Sequence, residues 1–230
     1  MRNLIIRFRI LSVTLLFIAR SASAQYDPSA SASLGMGHGY TALTQSVMSN
    51  AFAATSKSSG ATKAANADYV YLGFSHFREF EQKIFEQVLQ TNKSMDKGKM
   101  RSFLSSTRTM YHFNTRARAY GLKDTYVSDL LATGIAWNWE MYHRAKPAKE
   151  KVISLRNAIR SNMAKNSIKN QITKLSEAEK RTWILSFMYN NSMLAQIIKN
   201  AGKLGPEQKQ QLIKTAAQAG VPDIATVSLR

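Results

Sequence analysis

The stretch from Asp124 to Arg144, DTYVSDLLATGIAWNWEMYHR, constrains the fold more than any other part of this 230-residue chain. Val127, Leu130, Leu131, Gly134, Trp137, Asn138 and Met141 recur at steps of three and four, which places them on one helical face. Asp124 stands where a side-chain oxygen can accept from the unpaired backbone N–H groups of a first turn. Gly134 costs such a helix about 1 kcal/mol relative to alanine. In return it leaves mid-face room for the close approach of a neighbouring backbone. Trp137 falls on the inward face, whereas Trp139 points about 200° further round and is expected nearer the surface. The spacing predicts the central helix of a bundle, ending before Pro147.

The flanking sequence is helical in the same sense. Phe74, Phe77, Phe80, Ile84, Phe85, Val88 and Leu89 form an aromatic-rich stripe at helical spacing. Met100, Phe103, Leu104 and Met110 predict a second helix running into YHFNTRARAY and stopped by Gly121, since glycine takes the left-handed conformation at little cost. Beyond Pro147, the line Val152, Leu155, Ile159 and Met163 is surrounded by Lys149, Lys151, Arg156, Arg160, Lys165 and Lys169. Ser176-Glu177-Ala178-Glu179 is a capping box opening a long helix to Gly202. Gly205-Pro206 opens the last one, proline being favoured at the first helical position. No alternating run of strand length stands out. The expectation is an all-α fold, a single bundle of about six helices over residues 69–230.

The region before it reads differently. Arg2, Arg7 and Arg9, a short apolar run from Ile10 to Ala19, and Ser21-Ala22-Ser23-Ala24 have the order of a signal peptide over residues 1–24. That run is too short to span a bilayer core of roughly 30 Å. Residues 25–68 are rich in Ser, Ala and Gly and are expected to form a flexible linker, having too little apolar surface to offset ordering. Gly35-Met36-Gly37-His38-Gly39 follows no strand and opens no βαβ unit, so it reads as linker and not as a phosphate loop. The chain has no cysteine, which excludes disulfides, thiolate metal sites and a cysteine nucleophile. Removing the four arginines of the signal segment from the 32 basic residues leaves 28 against 14 acidic, a net charge of +14. Such a field favours encounter with anionic surfaces. The expected address is the periplasm, or the medium after secretion, following cleavage near Ala24.

Tyr120-Gly121-Leu122, the Trp-bearing helix, Leu155-Arg156 leading a basic helix, Leu175-Ser176-Glu177-Ala178-Glu179-Lys180, the Gly-Pro-started helix and the Gly220-Val221 exit occur in that order. Together they resemble a bacterial family of signal-peptide-bearing helical proteins catalogued only as a domain of unknown function. The resemblance covers roughly Tyr69 to the C-terminus and implies an exported helical fold, with no activity to carry over.

Catalytic patterns are weak. Glu140 and His143 have the Glu-x-x-His spacing of di-metal bundles, but two copies are needed, and His76-Phe77-Arg78-Glu79 carries the reversed order. Glu140 is expected to pair with Arg144, four residues on. Asp129 and Glu140 lie about 16 Å apart along one helix, too far to share a bond. Asp129 reads as an exposed first-turn acid near the positive helix terminus. No Ser–His–Asp arrangement or nucleophile elbow appears. The sequence therefore assigns no catalytic residue, cofactor or metal ligand. The expected function is a non-enzymatic binding or structural protein of the bacterial envelope. The alternative is a peripheral binder of anionic lipid or glycan through the patch Arg156, Arg160, Lys165, Lys169 and Lys174, which Arg116 and Arg118 beside Tyr111 and Tyr120 would extend; a metal-dependent enzyme ranks behind both. Nucleic acid is not an expected partner, and no membrane-spanning segment is expected in the mature chain.

Overall fold

The computed structural model describes residues 65–91, 96–165, 172–173 and 175–230. The signal segment, the linker up to residue 64, Lys169 and Lys174 lie outside the described residues. The fold is all-α. A single helical turn, α1 (Ala65–Asp68), precedes α2 (Phe74–Thr91), α3 (Lys97–Ser106), α4 (Thr109–Tyr120), α5 (Val127–His143), α6 (Lys149–Met163), α7 (Glu177–Ala201) and α8 (Pro206–Gln218). Among the described residues, the extended backbone that pairs across the chain is an isolated antiparallel bridge between Tyr69 and Tyr126. No helix among them is long and apolar enough to cross a membrane.

Helix α5 is the axis, with α4, α6, α7 and α8 packed around it. All thirteen residues from Val127 to Trp139 are buried, the condition of a helix enclosed on every side. Two expectations fail here for one reason, the arrival of distant chain. Asp124 does not cap the helix: α5 begins at Val127, and Asp68 of α1 supplies the carboxylate instead. Its Oδ1 accepts from Ser128 N at 2.7 Å and its Oδ2 from Ser128 Oγ at 2.7 Å. Trp139 is not near the surface. The C-terminal segment crosses over it, Trp139 Nε1 donating to the Val227 carbonyl at 2.7 Å. The same segment anchors at Ala148 N, which donates to the Leu229 carbonyl at 2.7 Å.

At Gly134 the close neighbour is the ring of Phe187 from α7, not a backbone; a Cβ on Gly134 would overlap that ring. Local signals act as their chemistry requires. Gly121 ends α4 with φ 72°, and Leu122 N returns to the Ala117 carbonyl at 2.8 Å. Ser176 and Glu179 close both halves of the capping box on α7, and the Ser176 hydrogen bonds hold the Glu179 carboxyl below its ordinary range. The helix expected to run through Met100 and Met110 is divided. Arg108 adopts a left-handed φ of 44°, and the Thr107 hydroxyl bonds back to the Leu104 carbonyl at 2.8 Å. That bond closes α3 before α4 begins.

Candidate functional site

The basic helix α6 turns its apolar line inward as its spacing requires: Val152, Ile159 and Met163 are fully buried, and Leu155 packs at the margin of the core. Its arginines do not form a solvated stripe. Arg156 Nη1 and Arg160 Nη2 donate to Asp129 Oδ1 at 3.1 and 3.2 Å. Arg160 Nε donates to Asp68 Oδ2 at 2.9 Å, and its guanidinium lies 5.0 Å from the Tyr126 ring centroid. Asp129 Oδ2 accepts from Lys123 N at 2.7 Å. Asp129 is thus a buried acid at 1% exposure, correcting its reading as an exposed one. Two carboxylates and two guanidiniums join α1, the start of α5 and α6. Buried acids are tolerated when their lone pairs are met by charged donors in this way. Of the five residues in the expected patch, Arg156 and Arg160 are committed to this cluster, Lys165 is exposed, and Lys169 and Lys174 lie outside the described residues.

Glu140 and His143 do not converge either. Glu140 accepts from Arg116 of α4, not from Arg144. The His143 ring stacks 4.6 Å from Trp139 and sits 3.2 Å from the Ile224 carbonyl. Among the described residues, no group of three or more His, Asp or Glu side chains is placed to hold a metal ion.

Two polar features were hidden in the sequence wholly or in part. One is a seam of hydroxyls between α2, α4 and α7. Thr107 Oγ1 lies 2.9 Å from Thr109 Oγ1, which lies 2.6 Å from Ser192 Oγ. Nearby, Tyr189 donates to the Phe77 carbonyl at 3.1 Å and to Glu81 at 3.3 Å. Burial raises the carboxyl of Glu81 and the phenol of Tyr189 above their ordinary values. Within the described residues the seam bonds to itself and to main-chain carbonyls. It ties helices together.

The other feature runs along α4. Arg108, His112 and Arg116 are spaced by four residues and therefore share a ridge. The Arg108 guanidinium lies 4.3 Å from the centroid of the half-exposed Tyr111 ring. The His112 ring sits 5.4 Å from Tyr111 and 5.6 Å from Trp137, and Arg116 lies 4.4 Å over Trp137. Burial, then the charges of Arg116, Arg108 and Lys199, lower the His112 pKa. Nothing in the order YHFNTRARAY distinguishes this ridge from the α6 arginines. Spacing by four occurs in both.

A third group of cations surrounds the turn after α4. Lys149 Cε would come within 3.9 Å of a Cβ on Gly121, which sets the start of α6 against the turn that Arg118 precedes and Lys123 follows. These three exposed side chains have no carboxylate within 4 Å among the described residues. No family model, curated protein sequence or solved structure matches the chain, so its own geometry has to carry the functional reading.

Proposed function

We propose that the chain is an exported, non-enzymatic helical binding protein of the bacterial envelope, and that its partner presents anionic groups. The observation that carries this reading is the sorting of charge. The buried Asp68 and Asp129 are consumed by Arg156 and Arg160, and the partly exposed Glu140 by Arg116, while Arg118, Lys123 and Lys149 stay exposed near Gly121 without an acidic partner among the described residues. A surplus of outward cations on a rigid scaffold raises association rates with polyanions and makes them sensitive to salt. Our reading assigns the interacting surface to the α4–α5 turn and the start of α6, and not to Arg156 and Arg160, which are bonded to Asp129 and Asp68.

Cosedimentation with lipid vesicles tests it. The mature protein should sediment with anionic vesicles at low ionic strength, be released by salt, and ignore neutral vesicles. Exchanging Arg118, Lys123 and Lys149 for glutamine should abolish binding while the thermal midpoint stays nearly constant. Equal sedimentation with neutral vesicles, or none with anionic ones, would overturn the reading.

A further inference from the structure

Residues 69–74, Tyr-Val-Tyr-Leu-Gly-Phe, join α1 to α2 and turn aromatic rings toward water. Tyr69 is 46%, Tyr71 58% and Phe74 64% exposed. A lone exposed ring needs no explanation, but three rings within six residues make a patch. The backbone beneath them is fastened at both ends. Val70 is fully buried, and its N–H donates to the Thr125 carbonyl at 3.0 Å. Alternation along extended chain then directs Tyr69 and Tyr71 outward. Lys180 Nζ donates to the Tyr69 carbonyl at 3.3 Å. At the other end Gly73 N donates to His76 Nδ1, and His76 N donates to the Gly73 carbonyl, each at 3.0 Å. The Tyr71 ring meets the His76 ring edge-on, with centroids 5.8 Å apart. The rings are thus held ready, which lowers the ordering cost of a contact made through them.

Cations flank the patch on two sides. The Arg78 guanidinium lies 6.0 Å from the Phe74 ring centroid. Tyr69 pairs with Tyr126 across the antiparallel bridge, and Lys123 Nζ lies 6.0 Å from the Tyr126 ring centroid. Lys123 is one of the outward cations near Gly121, so the aromatic loop and the cationic turn meet at this bridge. Glu177 is answered by Lys180 at 2.7 Å. Glu79 and Asp124, exposed next in sequence to Arg78 and Lys123, offset part of the positive charge, and Arg118 and Lys149 restore the excess.

We infer that residues 69–74 are a bilayer-docking loop, with Tyr69, Tyr71 and Phe74 entering the headgroup boundary of an anionic membrane while Lys123, Arg118 and Lys149 meet its surface charge. The inference rests on the functional reading above and commits the anionic partner to lipid. Rings with an apolar body, two of them with a polar tip, suit the headgroup level of a bilayer. A soluble polyanion would satisfy the cations and leave the rings in water. Apolar and electrostatic signals together hold a protein at a membrane where one alone is marginal. Neutral vesicles, which offer only the apolar half, should therefore bind it poorly.

The experiment uses tryptophan fluorescence of the mature chain. Trp137, Trp139 and Trp183 are buried, so Phe74→Trp adds an exposed indole at the loop. Anionic vesicles carrying bromine on their acyl chains are compared with the same vesicles without bromine. On binding, the added emission should move to shorter wavelength and be quenched by bromine, while the parent's emission is unaffected. Replacing Tyr69, Tyr71 and Phe74 together by serine should weaken binding to anionic vesicles roughly tenfold. The thermal midpoint and binding to dextran sulfate, a soluble polyanion, should stay unchanged. Parental vesicle affinity in the triple variant, or an unquenched Phe74→Trp on vesicles that hold the protein, would overturn the loop's role and leave the charge reading standing. Emission already at short wavelength before vesicles are added would overturn it as well, since another part of the chain or a second copy would then cover the loop. A parent that fails to bind anionic vesicles would overturn the charge reading and the loop with it.

Discussion

The arginines of two helices of this protein, Arg156 and Arg160 on α6 and Arg108 and Arg116 at the cap and middle of α4, meet opposite surroundings. On α6, Arg156 and Arg160 reach two carboxylates delivered by α1 and α5, and their charge is cancelled within the bundle. On α4, Arg108 reaches an exposed tyrosine ring and no acid, while Arg116 shares one carboxylate and keeps a donor without an acceptor. The difference lies in what the rest of the chain brings to each helix. It teaches that in a chain this basic, a positive side chain is informative only once its acidic neighbours are known. The internally matched pair belongs to stability, and Arg108 keeps its charge at the surface.

The comparison can be broken most forcefully at Trp137, which belongs both to the core and to the ridge. Trp137→Ala should cost about 3–5 kcal/mol in chemical denaturation, the usual range for emptying an aromatic core site. It should also release Arg116 from its ring. A variant as stable as the parent would detach the ridge from the core. Next comes the α6 cluster. Asp129→Ala strands the Arg156 guanidinium, leaves Arg160 with Asp68 alone and Lys123 N without its acceptor, and should cost about 3 kcal/mol. Both arginines can swing partly into water, which keeps the figure at the lower end of such losses. A cost below about 1 kcal/mol, the level of an exposed pair, would erase the contrast between the regions.

Arg156→Gln sharpens the point. Asp129 then keeps Arg160 and Lys123 N, and the loss should be about 1.5–3 kcal/mol, that of one hydrogen bond to a charged group. Arg108→Gln stands at the far end. Stability should move by less than about 0.5 kcal/mol, as for surface positions generally, while the His112 midpoint moves upward toward the ordinary histidine value as one repelling charge is removed. The sign for stability follows from the same group. Because the folded His112 pKa is lowered, the unfolded chain takes up its proton first as pH falls below about 6.5. Stability is therefore full above that value and declines through the lowered folded pKa. Arg108→Gln should shrink this acid-side decline, a difference measurable by denaturation at two pH values.

Much of the fold was legible because its signals are local. Gly121, the Ser176–Glu179 box, Pro206 and the line Val152, Ile159, Met163 each act through neighbours within a few residues. The failures share the opposite property. Asp129 reads as exposed until Arg156 and Arg160 arrive, and Trp139 until Val227 crosses it, 88 residues later. Asp124 looks like the cap of α5 because nothing in the sequence points to Asp68, 60 residues before Ser128. The left-handed Arg108 that divides α3 from α4 carries no residue-type mark, since glycine or asparagine would ordinarily advertise it. The α4 ridge was hidden for a related reason. Its tryptophan comes from α5, so the sequence of α4 shows Arg116 and Arg118 beside Tyr111 and Tyr120 but not the ring that orders Arg116.

The strap over Trp139 has a kinetic meaning. The central helix is gripped at its start by Asp68, near the first described residues, and along its far end by Val227 and Leu229, among the last. A chain that emerges from its N-terminus onward can pair helices early, but Trp139 stays open to water until the final residues are free to lie across it. Contacts of such long sequence separation close late and slowly. The packing of Trp139 is consequently completed by the slowest class of contact in the fold, whereas the capped helix ends form from neighbours a few residues apart.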